Sequence, residues 1–95
     1  MLTVFWRDDE GAHEVRIERG SVRLGRSVEA DLRVANPSVS RRHAILADTN
    51  GTWVLRDLQS QNGVRVNNLV TREHAIADGD VICLGDVPLR FVLSV

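Results

Sequence analysis

The chain consists of short apolar segments separated by turn residues, and no stretch keeps a helical period over a useful length. Residues 13–19 alternate, with Val15 and Ile17 on one face and charged side chains on the other, as in a half-buried strand. Asn50-Gly51 separates two apolar runs and is typical of a hairpin turn, because both residues tolerate positive φ. This pattern predicts about ten short strands in an all-β sandwich and excludes a parallel sheet covered by helices.

The turn residues also predict where the individual strands lie. The expected strands are residues 2–7, 13–19, 21–24, 30–34, 44–48, 53–57, 64–66, 81–84 and 89–93. Residues 69–77 are less regular, and we interpret them as a loop or a short strand. In the last strand Leu89, Phe91 and Leu93 are expected to face inward, and Trp6 and Trp53 to belong to the core.

A single domain of residues 1–95 is expected, because this length supports one modest core and leaves no room for a second. The net charge of −1 supplies no basic field that would hold a nucleic acid or an anionic membrane. Aromatic residues make up 4% of the chain and tyrosine is absent, so few side chains can stack on bases. Nucleic acid is therefore not an expected partner.

Cys83 is the only cysteine, so no intrachain disulfide forms, and we expect a buried, inert thiol. The first seven residues lack the basic start and long apolar core of a signal peptide. No apolar run approaches the roughly 18 residues of a membrane span. A cytoplasmic location without a membrane partner is the expectation.

The segment 37–44 is a loop that follows a turn signal at Asn36-Pro37 and leads into an apolar strand. Loops at the end of a sheet commonly display binding groups. This one offers two hydroxyls, two guanidinium groups and an imidazole, from Ser38, Ser40, Arg41, Arg42 and His43. Guanidinium groups suit bidentate recognition of a phosphate. The following strand is expected to bury Ile45 and to leave Arg42 in solvent.

Two further segments carry similar chemistry. At Leu24-Gly25-Arg26-Ser27 a strand ends in glycine, which permits a turn that other residues resist, and the next arginine is left at the end of the sheet. In Ser60-Gln61-Asn62-Gly63 the asparagine side chain can both donate and accept hydrogen bonds, so it can contact a peptide backbone.

With these three segments the sequence resembles the forkhead-associated (FHA) domain, a phosphothreonine-binding module. The family pattern of Gly-Arg, Ser-Arg-x-His, Ser-x-Asn-Gly and Val-Asn appears here as Gly25-Arg26, Ser40-Arg41-Arg42-His43, Ser60-Gln61-Asn62-Gly63 and Val66-Asn67. The flanks Asp31-Leu32, Asp57-Leu58, residues 77–81 and Leu84-Gly85 are similar as well. The four motifs occur in the right order over nearly the whole chain.

The resemblance implies an FHA-type β-sandwich of about eleven short, mainly antiparallel strands with ligand loops at one end. It implies a non-catalytic module without a cofactor that binds a threonine-phosphorylated protein or peptide, in a partner or in its own parent chain. A Ser/Thr kinase would act upstream, in signalling or regulation. Such modules are usually appended to larger chains, so the 95 residues are compatible with an excised piece.

The resemblance also implies roles for individual residues. Arg26 and Ser40 would contact the phosphate, Arg41 would add to the cationic rim, and Asn62 would hold the peptide backbone just past the phosphothreonine. Gln61 occupies a position that often reaches the phosphate or the threonine methyl group. The supporting residues would be Gly25, His43, Ser60 and Gly63, and the neutral Ser38 would be a selectivity position with no strong charge preference.

The sequence departs from the family pattern at three positions. Val64 stands where threonine commonly follows Asn-Gly, and Asn68 replaces a glycine but can still adopt a left-handed turn. Gln61 replaces a serine or threonine, which affects one phosphate contact and the preference for threonine over serine.

Three alternatives belong to other functional classes. A hydrolase would use Ser40 and His43 as nucleophile and base, but no carboxylate in the loop is an obvious third member. A metal site is disfavoured because His13, His43 and His74 lack ligand spacing. A phosphorylation-independent assembly domain would keep the fold and leave the anion site idle.

Overall fold

The computed structural model describes residues 1–94 and contains eleven strands in two sheets. Residue 95, the last of the predicted domain, lies outside the described residues. The strands are β1 (Leu2–Asp8), β2 (Gly11–Ile17), β3 (Ser21–Gly25), β4 (Leu32–Arg33), β5 (Ala44–Thr49), β6 (Thr52–Asp57), β7 (Val64–Val66), β8 (Leu69–Thr71), β9 (Glu73–Ala75), β10 (Val81–Leu84) and β11 (Val87–Leu93).

The two sheets pack face to face as a sandwich. The six-stranded sheet has the order β2-β1-β11-β10-β7-β8, and the five-stranded sheet has the order β4-β3-β5-β6-β9. All pairs are antiparallel except β3 with β4. The core between the sheets contains Leu89, Phe91 and both tryptophans, as the sequence predicts, and Leu93 packs against it half-buried. The all-β sandwich is therefore confirmed.

Turn chemistry is also as predicted. Asn50 and Gly51 have φ values of 53° and 84°, and they connect β5 to β6. Asn67 and Asn68 likewise have positive φ and connect β7 to β8. Asparagine adopts this conformation more readily than most residues, because its short polar side chain can bond locally.

The strands predicted over 13–19 and 89–93 are observed as Gly11–Ile17 and Val87–Leu93, and two further predicted segments differ more from the structure. The strand predicted over 30–34 is reduced to Leu32–Arg33, because the preceding residues form a turn in which Ala30 N donates to Ser27 O at 3.0 Å and Glu29 N donates to Ser27 Oγ at 3.1 Å. The uncertain segment 69–77 forms two short strands, one in each sheet.

Two predictions of burial are wrong. Ile45 is half-buried, because it pairs with Arg23 and Arg56 on the outer face of its sheet while its neighbours Ala44 and Leu46 face the core. Arg42 is exposed as expected, but the predicted alternation placed Ile45 on the wrong face of the strand. Cys83 is half-buried on the outer face between the buried residues Ile82 and Leu84.

The sandwich gathers six connections at one end, which we call the loop end: residues 9–10, 26–31, 34–43, 58–63, 72 and 85–86. The opposite end carries the β2–β3 turn, the β5–β6 turn and the paired termini, where Ser94 N donates to Met1 O at 2.9 Å. Among residues 1–94 there is no helix with the length and apolar character needed to cross a bilayer.

Candidate functional site at the loop end

His43 joins two loops of the loop end. Its side chain is fully buried. Ser40 N donates to His43 Nδ1 at 3.0 Å, so the ring proton lies on Nε2, which donates to Gly63 O at 2.7 Å. The imidazole thus connects the β4–β5 loop to the β6–β7 loop and determines how Ser40 is presented.

Gly25 allows the end of β3 to lie directly against the β4–β5 loop. Arg26 N donates to Ser40 O at 3.0 Å, and Ser27 N donates to Arg41 O at 3.3 Å. A Cβ atom on Gly25 would lie 2.1 Å from Arg41 O. Gly25 does not have a positive φ. The prediction that a turn conformation requires glycine here is therefore wrong, and the close approach of two backbones requires it instead.

Replacing Gly25 with alanine is therefore expected to destabilise the fold by about 2 kcal/mol, because the added methyl group overpacks against backbone that must move. The displaced loop carries Ser40, so affinity for an anionic ligand of this site should fall as well. Urea unfolding of Gly25→Ala beside Ser21→Ala, an exposed position on the same strand, provides the measurement. Equal midpoints for the two variants would contradict the close packing.

The Arg26 side chain lies across the β4–β5 loop. Its Nε donates to Val39 O at 3.0 Å, and among residues 1–94 neither terminal nitrogen has a hydrogen-bond partner, so both are available to a ligand. The residue itself is exposed. One bond to the protein thus orients a guanidinium group whose remaining donors face solvent, which suits a bidentate contact with an oxyanion.

The Ser40 hydroxyl contacts the next loop. Gln61 N donates to Ser40 Oγ at 2.9 Å, and among residues 1–94 no acceptor is found for the hydroxyl hydrogen. Ser40 can therefore donate this hydrogen to a ligand while its oxygen remains held by the protein. The Gln61 side chain is exposed and contributes its backbone to this contact.

Asn62 and Ser60 shape the β6–β7 loop in different ways. Asn62 Nδ2 donates to Ser38 O at 2.8 Å, and its carbonyl oxygen faces no recorded donor within the described residues. Ser60 lies inside the loop, where its hydroxyl donates to Asp57 Oδ1 at 2.5 Å and accepts from Gly63 N at 2.9 Å. Ser60 therefore braces the loop that presents Asn62.

The geometry does not favour the hydrolase alternative. The His43 ring contacts Ser40 through the backbone N, and both ring nitrogens are engaged. The imidazole therefore has no free nitrogen to accept a proton from the Ser40 hydroxyl, and no nucleophile–base pair exists at this position.

Arg41 and Arg42 are both exposed beside the site. Arg41 contributes its backbone carbonyl to the contact with Ser27, and both arginines line a hollow that also contains Ser27, Glu29 and Leu58. The structure thus brings Arg26, Ser40 and the Gln61 backbone together, with Asn62 one residue further along.

Asp8 supports the loop end, and no sequence motif identified it, because the strand predicted over residues 2–7 ends one residue before it. Its side chain has no exposed surface. Oδ2 accepts from Trp6 Nε1 at 3.0 Å and from Ala35 N at 2.9 Å. Oδ1 accepts from Glu10 N at 2.8 Å and from His13 Nε2 at 2.9 Å. The β1–β2 hairpin is thereby joined to the β4–β5 loop.

These contacts change the acidity of the Asp8 carboxyl. Burial alone would raise its pKa, but the hydrogen bonds from Ala35 N, His13, Glu10 N and Trp6 stabilise the carboxylate and lower the pKa well below its ordinary value. The local sequence feature that marks this carboxylate is an acidic residue directly after an apolar strand. No feature of the sequence near Ala35, 27 residues away, indicates that its backbone N donates to Asp8.

Comparison with known proteins agrees with this fold. A family model for the FHA domain matches residues 22–85. The FHA domain-containing protein FhaA of Mycobacterium tuberculosis is 40% identical over 78 residues, which cover 82% of this chain and 15% of FhaA. The chain therefore corresponds to a small part of that relative.

Two solved structures are similar over nearly the whole chain. One, from a structural and functional analysis of phosphothreonine-dependent FHA domain interactions, has a TM-score of 0.89 and 34% identity, covering 99% of this chain and 97% of that one. The FhaA FHA domain complexed with the intracellular domain of Rv3910 has a TM-score of 0.86 and 35% identity, covering 96% and 99%. The matched family model, the identity with FhaA and the shared sandwich together show that this chain belongs to the FHA domain family.

Proposed function

We propose that this chain is a non-catalytic module that binds threonine-phosphorylated protein segments at its loop end. The proposal rests on one observation. Three separate loops bring Arg26, Ser40 and the Gln61 backbone close together around one exposed position. A domain of the same family with a TM-score of 0.89 was studied for phosphothreonine-dependent interactions, which supports the same ligand class here.

The chemistry of a phosphothreonine matches the donors at this position. Its phosphate carries a charge of about −1.5 to −2 and three acceptor oxygens. In our proposal the terminal nitrogens of Arg26 and the Ser40 hydroxyl donate to these oxygens, and Arg41 adds positive charge. Hydrogen bonds to charged groups contribute roughly 1.5–3 kcal/mol each, so two or three of them account for micromolar affinity.

The β6–β7 loop would hold the peptide backbone. We assign this role to Asn62, whose amide oxygen and second amide hydrogen can pair with one peptide group just past the phosphothreonine. Gln61 would approach the phosphate or the threonine methyl group with its exposed side chain. The remaining supporting residues, Gly25, His43, Ser60 and Gly63, would act through the loop geometry.

The wider setting is also part of the proposal. The chain would act in a cytoplasmic signalling process downstream of a Ser/Thr kinase, and its ligand would lie in a protein partner or in its own parent chain. The FhaA domain is complexed with the intracellular domain of Rv3910, which supports a protein segment as the ligand of this chain.

Calorimetry with three degenerate peptide libraries, containing phosphothreonine, phosphoserine or unmodified threonine, tests the proposal. We expect micromolar binding of the phosphothreonine library, weaker binding of the phosphoserine library and none of the unmodified one. Equal binding of all three would overturn the proposal in favour of phosphorylation-independent assembly. The absence of binding to every library would overturn it as well.

A further inference from the structure

The outer face of the six-stranded sheet, which we call the arginine face, is basic although the chain as a whole is not. Inward-facing residues alternate with outward-facing ones along its strands. The outward positions hold four arginines: Arg7, Arg16, Arg65 and Arg90. Among the described residues of these strands they hold one carboxylate, that of Glu14. The net charge of −1 therefore does not describe this surface, which is positively charged.

These arginines are weakly paired within the protein. Arg7 and Arg90 are exposed, and neither forms an ion pair within residues 1–94. The Arg90 guanidinium group lies over the Phe5 ring, 5.0 Å from its centroid. Arg16 and Arg65 have carboxylates at 3.7 and 3.9 Å. Long, exposed pairs of this kind contribute little, so all four cations are available to a partner.

The outer face of the five-stranded sheet differs in this respect. Arg23 on that face contacts Asp31 at 3.5 Å, and Arg56 contacts Glu73 at 3.2 Å. Each of these two cations has a carboxylate beside it. Of the two broad faces of the sandwich, the arginine face is therefore the one with an excess of positive charge.

Apolar side chains lie between the arginines. The register aligns Phe5, Arg90 and Val81 in one row across three neighbouring strands. Val81 is 50% exposed, and Val70, which pairs with Arg65, is 71% exposed. An exposed surface that mixes apolar side chains with arginine is typical of the central part of a protein–protein interface.

The chemistry of this face favours an acidic protein surface over other anions. Among residues 1–94 the one aromatic ring on the face is that of Phe5, which Arg90 covers, so it cannot stack on a base. The most exposed apolar side chains are short valines on a flat sheet, which do not reach the depth of about 5–10 Å at which proteins insert into a membrane interface. Such side chains can pack against another protein whose carboxylates pair with the arginines.

The size of the arginine face suits an auxiliary contact. Five strands about 4.8 Å apart and about 20 Å long offer roughly 500 Å². A stable complex buries roughly 800 Å² of each partner, so the face is too small to hold a partner by itself. It adjoins the loop end, however, because Arg7 is the last but one residue of β1 and Pro88 is the second residue of β11.

We infer that the arginine face is a second contact surface, which binds an acidic surface of the same protein whose phosphothreonine occupies the loop end. The inference rests on the proposed function for the identity of this partner. A protein held at the loop end has a high effective concentration at the neighbouring face, so a weak contact forms there. This contact adds affinity that a short phosphothreonine peptide does not provide.

Two tethered peptides provide the test. Both begin with one phosphothreonine peptide chosen from the library and continue through a linker of about fifteen glycine and serine residues, which extends to about 50 Å and exceeds the 34 Å length of the domain. One ends in a segment of glutamate, aspartate and leucine, and the other has glutamine and asparagine in place of the acidic residues. In calorimetry we expect the acidic tail to improve affinity about three- to tenfold at low salt, and less at high salt.

Substitutions on the two sheets assign the gain to the face. Arg7→Gln with Arg90→Gln should abolish the gain. Arg23→Gln with Arg56→Gln removes the same charge from the other sheet and should leave the gain unchanged. Val81→Ser changes no charge and should reduce the gain, which attraction between charges alone does not predict. All five side chains are exposed, so the variants should fold.

Each result decides between the alternatives. Equal affinity for the two tails, or a gain that survives Arg7→Gln with Arg90→Gln, overturns the inference. Binding of duplex DNA or of phosphatidylserine vesicles that this double variant abolishes would assign the face to a nucleic acid or a membrane and overturn the inference. A dimer of the wild-type chain that the double variant abolishes would assign the face to a second copy, with the same consequence.

The inference and the proposed function can fail separately. If no phosphopeptide binds the wild-type chain, the proposed function is overturned, and the acidic segment is then titrated alone against the isotope-labelled chain. Amide shifts confined to β1, β10 and β11 would keep the arginine face as a contact surface for acidic protein. The absence of shifts would overturn the inference together with the proposed function.

Discussion

Arg26→Ala is expected to weaken binding of a phosphothreonine peptide at least about 100-fold, because it removes two hydrogen bonds to a charged group worth roughly 1.5–3 kcal/mol each. The bond from Arg26 Nε to Val39 O holds the guanidinium group in place before the ligand arrives, so little conformational entropy is lost on binding. Arg26→Lys should fall between wild type and Arg26→Ala, since an ammonium group keeps the charge and loses the planar fork.

Calorimetric titration of the folded variants measures this effect. Arg16→Ala is the matched control, because Arg16 is an exposed arginine on β2, paired at 3.7 Å with Glu14 and distant from the loop end. It should bind like wild type. An Arg26→Ala variant that retains affinity within threefold of wild type would show that the phosphate binds elsewhere, or that binding does not depend on phosphate.

Asp8→Ala is expected to lower the free energy of unfolding by about 3–5 kcal/mol, the usual cost of removing one member of a buried charged cluster. The substitution leaves Trp6 Nε1 and the backbone N–H groups of Ala35 and Glu10 without their acceptor. Urea unfolding measures the loss. Asp31→Ala, which breaks an exposed contact with Arg23, should cost less than about 1 kcal/mol.

The lowered pKa of Asp8 also predicts how the stability of the fold depends on pH. The pKa of Asp8 is lower in the folded chain than in the unfolded chain. Its contribution is therefore complete above the unfolded pKa of about 3.9 and is lost as the pH falls toward the folded pKa. The difference in stability between wild type and Asp8→Ala should be constant above pH 5 and should narrow below pH 4. A difference that is unchanged down to pH 2 would contradict the hydrogen-bonded carboxylate.

Much of the fold could be predicted from local patterns. The alternation around Val15 and Ile17 identified β2 because one face of an antiparallel strand packs on the core and the other is solvated. Asn50-Gly51 identified its turn because few residues accept positive φ. Ile45 was wrongly predicted to be buried, since an apolar residue between two apolar neighbours, Ala44 and Leu46, gives no sign of which face it occupies.

The contacts between distant loops were not predictable in the same way. The motif residues Arg26, Ser40 and Asn62 were found through spacing typical of a family. By contrast, the bonds from Ala35 to Asp8 and from Asp86 to Ser38 join residues 27 and 48 positions apart. Such pairs form when the two sheets pack together, and no local sequence pattern predicts them. They stabilise the loops in which the motif residues lie.

An NMR titration of the isotope-labelled chain with one phosphothreonine peptide tests the central claim most directly. We expect the largest amide shifts at residues 26, 40–41 and 61–62, and almost none at residues 18–20 and 50–51 at the opposite end. The unphosphorylated peptide should cause no shifts. Shifts centred away from the loop end, or equal shifts with both peptides, would contradict the assignment of the phosphate site.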